Sequence, residues 1–234
     1  MTTSHTKTQR QKARLARRLL RHHVPLAVLS MVIVGVIWVL LTHEGRISRL
    51  TVATAYAALI LLAGTLLLGP LNILRARPNP ISTDLRRDIG IWAALLGVAH
   101  VTVGLLTHFP GEPWLFFFNG GRIPLRLDIF GIANYLGLAA TLILVLLLAL
   151  SNDWALRRFG TQRWKALQRL NYILIGLVSI HALVYFGYED RGLPFISVLV
   201  VIVSVVVGIQ LAGLWKRKRK QAIASGVDST MALQ

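Results

Sequence analysis

The chain contains no cysteine. Its absence excludes disulfides, iron–sulfur clusters held by thiolates, zinc–thiolate centres and haem attached covalently through a Cys-x-x-Cys-His motif. Any haem bound by this chain must therefore be held without a covalent bond, by side chains other than cysteine.

Acidic residues are scarce as well. Asp and Glu number only 9 against 26 Lys and Arg, which gives a formal net charge of +17. In a soluble protein this balance would indicate nucleic-acid binding. Here the basic residues lie outside long apolar runs and no separate soluble domain remains, so we expect membrane lipid and not nucleic acid as the partner. Basic clusters of this kind bind anionic lipids of the inner leaflet.

Charged residues make up only 15% of the chain, hydrophobic residues make up 55%, and the mean hydropathy is +0.61. This composition is too apolar for an ordinary soluble domain. Roughly 20 apolar residues in a helix cross the hydrocarbon core of a bilayer. Six runs without an interior charge are about that long: Val24–Leu41, Leu50–Leu74, Ile89–Thr107, Ile129–Leu150, Leu170–Gly187 and Pro194–Trp215. They predict an all-α, polytopic membrane protein with a bundle of six transmembrane helices.

The basic residues predict the orientation of these six runs. Most lie before the first run, between the second and third, between the fourth and fifth, or after the sixth. The other loops hold Arg46, Arg49, Arg122, Arg126 and Arg191. By the positive-inside rule we expect both termini in the cytoplasm and the protein in the cell inner membrane. Residues 1–23 and 216–234 would then be basic cytoplasmic tails that flank a membrane domain at 24–215.

Two of the seven histidines, His100 and His181, lie deep within apolar runs. An imidazole in the hydrocarbon core is costly unless it has a partner or a function. Each lies eleven residues from the cytoplasmic start of its run, so both lie at a depth of about 17 Å. Two imidazoles at one depth on parallel helices can ligate one iron from opposite faces. Interhelical hydrogen bonds and a proton relay are the alternatives that the spacing leaves open.

Other residues near the two histidines have two interpretations each. Gly97 and Gly104 share a helical face with His100, where a small residue admits either a porphyrin edge or a closely packed helix. Arg122 and Arg126 in an outer loop are candidates to bind haem propionates. Ordinary loop charges beside an aromatic belt explain these two arginines more simply.

Two stretches that precede the buried histidines carry longer motifs. The first is Arg86-Arg87-Asp88-Ile89-Gly90-Ile91-Trp92, followed by His100. The second runs from Trp154 to Tyr172, has the spacing Arg158-x-Gly160-x-x-x-Trp164-x-x-x-x-x-Leu170 as its most specific part, and is followed by His181. Together they resemble the ferric-reductase-like transmembrane domain family over roughly residues 50–187. That family includes the haem-binding subunit of the bacterial methionine sulfoxide reductase system (MsrQ type) and the membrane domains of ferric reductases and NADPH oxidases.

The resemblance implies that His100 and His181 are the cofactor-binding residues and the axial ligands of a haem iron. Family members with a second haem carry further histidines on the cytoplasmic side. Here Gln168 takes one of those positions and Arg86 and Arg87 stand in the region of the other. We therefore expect one haem b, in the outer half of the membrane. The MsrQ-type relatives also imply a flavin (FMN), although no motif in this chain fixes it.

A haem iron with two histidine ligands has no open coordination position and suits electron transfer. The chain lacks a Gly-x-Gly-x-x-Gly unit, so we do not expect a nicotinamide to reduce it directly. The expected function is an electron-transfer subunit, an oxidoreductase component that is not self-sufficient. It would take electrons from a quinol or a cytoplasmic flavoprotein and pass them to an outer acceptor, either a periplasmic redox enzyme or chelated iron. The alternative is a haem-free transporter or membrane scaffold that uses the buried histidines for proton relay or helix packing.

Overall fold

A computed structural model describes residues 13, 15–75, 83–121, 125–189 and 192–231. Apart from an isolated antiparallel bridge between Phe118 and Leu125, the regular structure in these ranges is helical. The predicted all-α class is confirmed.

The described residues form seven α-helices. They are α1 (Val24–Leu40), α2 (Arg46–Arg75), α3 (Thr83–Gly104), α4 (Ile129–Ala149), α5 (Asp153–Gln168), α6 (Leu170–Tyr188) and α7 (Leu193–Met231). A π-helical turn at Leu19–His23 leads into α1, and a short 3₁₀ helix at Pro113–Phe116 lies in the loop between α3 and α4.

Five helical segments in the described residues are long and apolar enough to cross a membrane. They are Leu15–Leu40, Arg46–Arg75, Ile129–Ala149, Asp153–Tyr188 and Leu193–Ile223. The chain is therefore a multi-pass membrane protein. The third predicted run is not among the five, because α3 carries charged residues at its start and ends at Gly104. Its uncharged part, residues 89–104, is only about 23 Å long, which is shorter than the roughly 30 Å hydrocarbon core.

Helix α2 lies at the centre of the bundle. Its side chains contribute to three buried apolar clusters, which join it to α1, α6 and α7 on some sides and to α3 and α4 on others. Ala53 and Ala57 of α2 are fully buried, so neighbouring helices approach its backbone closely. Helix α4 packs along α6, and side chains of both helices share one buried apolar cluster with α2 and α3.

Two groups of contacts define the two ends of the bundle. At the end that we call the loop end, Arg126 Nη1 donates to the carbonyl of Leu115 at 2.9 Å and the hydroxyls of Thr51 and Thr107 lie 3.3 Å apart. At the opposite end, which we call the basic end, Arg87 Nη1 lies 2.5 Å from Asp153 Oδ1 and joins α3 to α5. Lys216 Nζ donates to the carbonyl of Leu74 at 2.5 Å and joins α7 to α2 there.

Helix α5 folds back against the end of α4. The Asn152 side chain caps it by accepting from the backbone N–H of Ala155 at 2.7 Å. Trp164 Nε1 donates to the carbonyl of Leu150 at 2.9 Å. Between these contacts Gly160 has φ 72°, a conformation that glycine adopts without the cost of a Cβ. This break at Gly160 allows α5 to change direction between its Asn152 cap and Trp164.

A capping side chain also starts α4 at the loop end. The Asp128 carboxylate accepts from the backbone N–H of Gly131 at 2.7 Å, and this hydrogen bond lowers the pKa of Asp128. The Asp128 cap fixes where α4 begins, directly after the loop between α3 and α4.

Helix α7 does not stop where its apolar run stops. The sequence predicted a membrane segment that ends at Trp215, and the structure continues the helix to Met231. Residues 216–222 are Lys, Arg, Gln and Ala, all strong helix formers, so polarity ends the apolar run without ending the helix.

Candidate functional site

The structure brings the two predicted histidines together at the loop end of the bundle. The ring centroids of His100 on α3 and His181 on α6 lie 6.4 Å apart, with an interplanar angle of 74°. His100 lies about 6 Å from the end of α3 and His181 about 10 Å from the end of α6, by the rise of a helix. Residues 81 positions apart along the chain are thus neighbours in space.

The hydrogen bonds of the two rings define their tautomers. His100 Nδ1 lies 2.9 Å from the carbonyl oxygen of Thr51, and His181 Nδ1 lies 2.8 Å from the carbonyl oxygen of Ala133. A carbonyl oxygen only accepts, so each Nδ1 must donate its proton. In the neutral ring the lone pair then resides on Nε2, which is the arrangement of a metal-ligating histidine held by its other nitrogen.

The separation of the rings matches two ligands on one metal ion. A metal–nitrogen bond is about 2 Å long and a ring nitrogen lies about 1 Å from the ring centre, so two axial imidazoles have centroids roughly 6 Å apart. The observed 6.4 Å agrees with this value. The described residues contain no group of three or more His, Cys, Asp or Glu that could hold a metal ion.

A glycine that the sequence interpretation missed lies against His181. A Cβ built on Gly137 of α4 would lie 2.9 Å from His181 Cε1 and 3.0 Å from Nδ1. No side chain fits there while the ring keeps its hydrogen bond to Ala133, one turn earlier on the same helix. Gly137 is one of several glycines in apolar helices, so only the packing of α4 on α6 reveals its importance.

The two glycines that share a face with His100 pack against other helices. A Cβ on Gly97 would meet Leu144 Cδ2 at 2.5 Å, and one on Gly104 would meet Thr51 Cγ2 at 3.5 Å. These contacts support the interpretation that small residues here allow close helix packing.

An aromatic cluster lies between the histidine pair and the loop that joins α3 to α4. The Tyr185 ring lies 5.3 Å from the ring of His181 and 6.2 Å from that of His108. Phe130 is almost completely buried and touches His108, whose Nε2 lies 3.1 Å from Glu189 Oε1. This packing separates the histidine pair from the surface at the loop end.

Arg122 and Arg126, the candidates to bind haem propionates, lie between α3 and α4 in the sequence. Arg126 lies over the Phe130 ring at 4.7 Å, donates to Asp128 at 3.0 Å and donates to the carbonyl of Leu115. These contacts join the loop to α4, and they give the Arg126 guanidinium partners within the protein. Arg122 lies outside the described residues.

The basic end contains a buried carboxylate that the sequence interpretation did not single out. The side chain of Asp88 is fully buried and forms an ion pair with Arg18. Its Oδ2 lies 2.7 Å from His22 Nδ1, and its Oδ1 lies 3.4 Å from His23 Nε2. Trp92 Nε1 donates to His23 Nδ1 at 3.3 Å. This cluster holds the segment before α1 against the start of α3.

Arg87 and Gln168 stand where the resemblance placed the cytoplasmic-side histidines of two-haem family members. Arg87 pairs with Asp153 and, at 3.8 Å, with Asp84. Gln168 ends α5, and its Oε1 lies 3.5 Å from Asn171 Nδ2. Their side chains serve contacts between α3, α5 and α6.

Comparison with known families identifies the family of the chain. The family model described as "Ferric reductase like transmembrane component" matches residues 54–179, more than half of the chain. The chain belongs to that family. The match includes His100 and ends just before His181. The resemblance inferred from the two motifs is confirmed.

The curated relatives include haem-binding membrane subunits. The protein-methionine-sulfoxide reductase heme-binding subunit MsrQ of Ralstonia nicotianae is 27% identical over 178 residues, which cover 75% of this chain and 76% of the relative. MsrQ of Bordetella pertussis is 28% identical over 178 residues, covering 72% and 76%. The magnetosome protein MamZ of Magnetospirillum gryphiswaldense is 37% identical over 68 residues, covering 29% of this chain and 10% of that protein. No solved structure matches the chain.

Proposed function

We propose that the chain is a haem-binding membrane subunit that transfers electrons, with His100 and His181 as the two axial ligands of one b-type haem. The observation that carries this proposal is the tautomer of the pair. Each Nδ1 is committed to a backbone carbonyl, and the rings are at the separation that two bonds to one iron require. Membership of the ferric reductase-like family, and relatives named as heme-binding subunits, support the same conclusion.

The composition of the pair selects a porphyrin over a bare metal ion. Two neutral imidazoles bring no negative charge, and a transition metal held by them alone would lack most of its ligands. A porphyrin would bring four nitrogens and two negative charges of its own, so His100 and His181 would be the protein's ligands. Iron held in this way would supply one-electron transfer.

The chain's own residues hold and shield this centre. The carbonyls of Thr51 and Ala133 orient the rings and increase the basicity of Nε2. Gly137 leaves room for the His181 ring beside α4. The aromatic side chains of Tyr185 and Phe130 keep water from the loop side of the pair.

The charge distribution supports the orientation that we propose for the chain in the membrane. In this orientation the basic end and both termini lie on the cytoplasmic side of the inner membrane, and the histidine pair lies in the outer half. The chain then crosses the membrane six times, with α3 added to the five long apolar segments. Electrons then enter from a quinol or a separate cytoplasmic flavoprotein and leave to an outer acceptor. Because MsrQ is named as a subunit of protein-methionine-sulfoxide reductase, a separate periplasmic redox enzyme is the favoured acceptor. An FMN on the membrane domain is a further proposal from the MsrQ-type resemblance.

An absorption spectrum of the purified protein tests the ligand assignment. Dithionite should reduce the wild-type protein to a b-type spectrum, and a pyridine haemochrome assay should give one haem per chain. His100→Ala and His181→Ala should each abolish the spectrum. His108→Ala is the matched control, because His108 lies in the adjacent aromatic cluster and should leave the spectrum intact. A folded wild-type protein without haem would favour the proton-relay or scaffold alternative, and an unchanged spectrum in both core variants would refute the ligands.

A further inference from the structure

The basic end of the bundle has more positive charge than its acids can balance. The three carboxylates of α3 and α5 are already paired: Asp88 with Arg18, and Asp84 and Asp153 with Arg87. Helix α5 and the residue after it add Arg157, Arg158, Arg163, Lys165 and Arg169, and all five are exposed. An uncompensated cationic surface of this kind attracts anionic groups.

Helix α5 arranges part of this charge beside an aromatic side chain. Trp154, Arg157 and Arg158 have the i, i+3 and i+4 spacing that places side chains on one face of a helix. The Trp154 indole is 65% exposed and lies on the same helix face as two exposed guanidinium groups. Asp153, the adjacent acid, pairs with Arg87 at 2.5 Å and also interacts electrostatically with Arg157. Its single negative charge cannot balance all three guanidinium groups.

The position of α5 relative to α4 sets the level of this face. Asn152 caps α5 directly after the last turn of α4, and Trp164 Nε1 donates to the carbonyl of Leu150 at the end of that apolar helix. The start of α5 therefore lies where the apolar surface of the bundle ends. In a bilayer this is the level of the lipid headgroups, where indole rings and arginine side chains are both stable.

We propose that the α5 face formed by Trp154, Arg157 and Arg158 binds the phosphate groups of anionic phospholipids in the leaflet at the basic end. A guanidinium donates two parallel hydrogen bonds to a phosphate, and two adjacent arginines suit a headgroup that carries net negative charge. The indole covers the boundary between glycerol and acyl chain. This interaction does not depend on the bound haem.

Lipid retention by the full-length protein tests the proposal. The protein is purified in a mild neutral detergent and mixed with dioleoyl phosphatidylglycerol or with dioleoyl phosphatidylcholine, and bound lipids are counted by native mass spectrometry across a lipid titration. Wild type should retain phosphatidylglycerol in preference to phosphatidylcholine. Arg157→Gln/Arg158→Gln should bind phosphatidylglycerol roughly 10- to 30-fold more weakly, and Arg157→Lys/Arg158→Lys should restore part of the binding.

Lys218→Gln/Lys220→Gln is the matched control. It removes the same charge from exposed positions on α7, outside the proposed face, and should weaken phosphatidylglycerol binding much less than Arg157→Gln/Arg158→Gln does, because it removes only general electrostatic attraction. An equal loss in this control would show that total charge and not the α5 face decides binding, and would overturn the proposal. Equal retention of the two lipids by wild type would also overturn it, as would full displacement of lipid by millimolar inorganic phosphate. Displacement by phosphate would indicate that the face binds a soluble anion or an acidic protein instead of a lipid.

Discussion

At the scale of single residues, the candidate site depends on where two protons are held. The Nδ1 proton of each histidine is donated to a backbone carbonyl, of Thr51 for His100 and of Ala133 for His181. Side-chain substitution cannot remove a carbonyl, so the orientation of both rings is protected from most point mutations. The space beside the His181 ring, in contrast, depends on a side chain, because only glycine at position 137 leaves room for the ring.

Gly137→Ala should therefore displace His181 without removing a ligand. The new Cβ would lie 2.9 Å from Cε1 of a ring that its hydrogen bond holds in place, so the ring or α4 must shift. Overpacking of this kind costs about 1–3 kcal/mol. We expect substoichiometric haem and a shifted absorption band in the purified variant.

Gly176→Ala on α6 is the matched control for this substitution. A Cβ there meets nothing within 4 Å, and alanine favours the helix. This variant should keep the wild-type spectrum and haem content. Equal spectra for the two variants would contradict the packing role of Gly137.

At the scale of elements, the basic end is joined by a buried ion pair between distant segments. Arg18 and His22 come from the helical segment before α1, and Asp88 comes from the start of α3, seventy positions after Arg18. A fully buried carboxylate is stable only with such partners, and removal of its charge leaves the partly buried Arg18 without a counterion. Asp88 thus sets how the first membrane helix docks on the rest of the bundle.

Asp88→Asn should lower the free energy of unfolding by about 3 kcal/mol, the low end of the range for a broken buried ion pair, because Arg18 remains partly exposed. The change is measured as a fall in the midpoint of thermal unfolding in detergent. Asp84→Asn serves as the comparison, because that carboxylate is 66% exposed and 3.8 Å from Arg87. Exposed pairs contribute about 1 kcal/mol or less, so Asp84→Asn should stay near wild type. Similar midpoints for both variants would argue against a docking role for Asp88.

At the scale of the whole molecule, the orientation in the membrane can be tested with a label. The natural chain has no cysteine, so one introduced cysteine gives an unambiguous signal. Asn119 at the loop end and Thr161 at the basic end are both exposed. A membrane-impermeant maleimide should label Asn119→Cys in cells whose outer membrane alone has been permeabilised. It should label Thr161→Cys only after the inner membrane is disrupted. The reverse pattern would invert the proposed topology and the direction of electron transfer.

Much of the architecture could be predicted from the sequence because it depends on local composition. Runs of apolar residues such as Leu50–Leu74 form helices wherever they are placed in a bilayer, and α2 has nearly those bounds. The family motifs and the two histidine positions are likewise visible in the chain. The boundaries of α3 and α7 were less predictable, because a charged residue ends an apolar run but does not end a helix.

By itself the sequence determined the helical class, the excess of positive charge and the identity of the two imidazoles, all of which follow from residue type and order. Only the tertiary structure decided that the ring centroids of His100 and His181 lie 6.4 Å apart, which carbonyl each ring donates to, that Gly137 makes room for His181, and that Asp88 pairs with Arg18. The physical reason is that these contacts depend on the rotation and relative depth of packed helices. Spacing within one helix places a side chain on a face, but the neighbouring helix decides what that face meets.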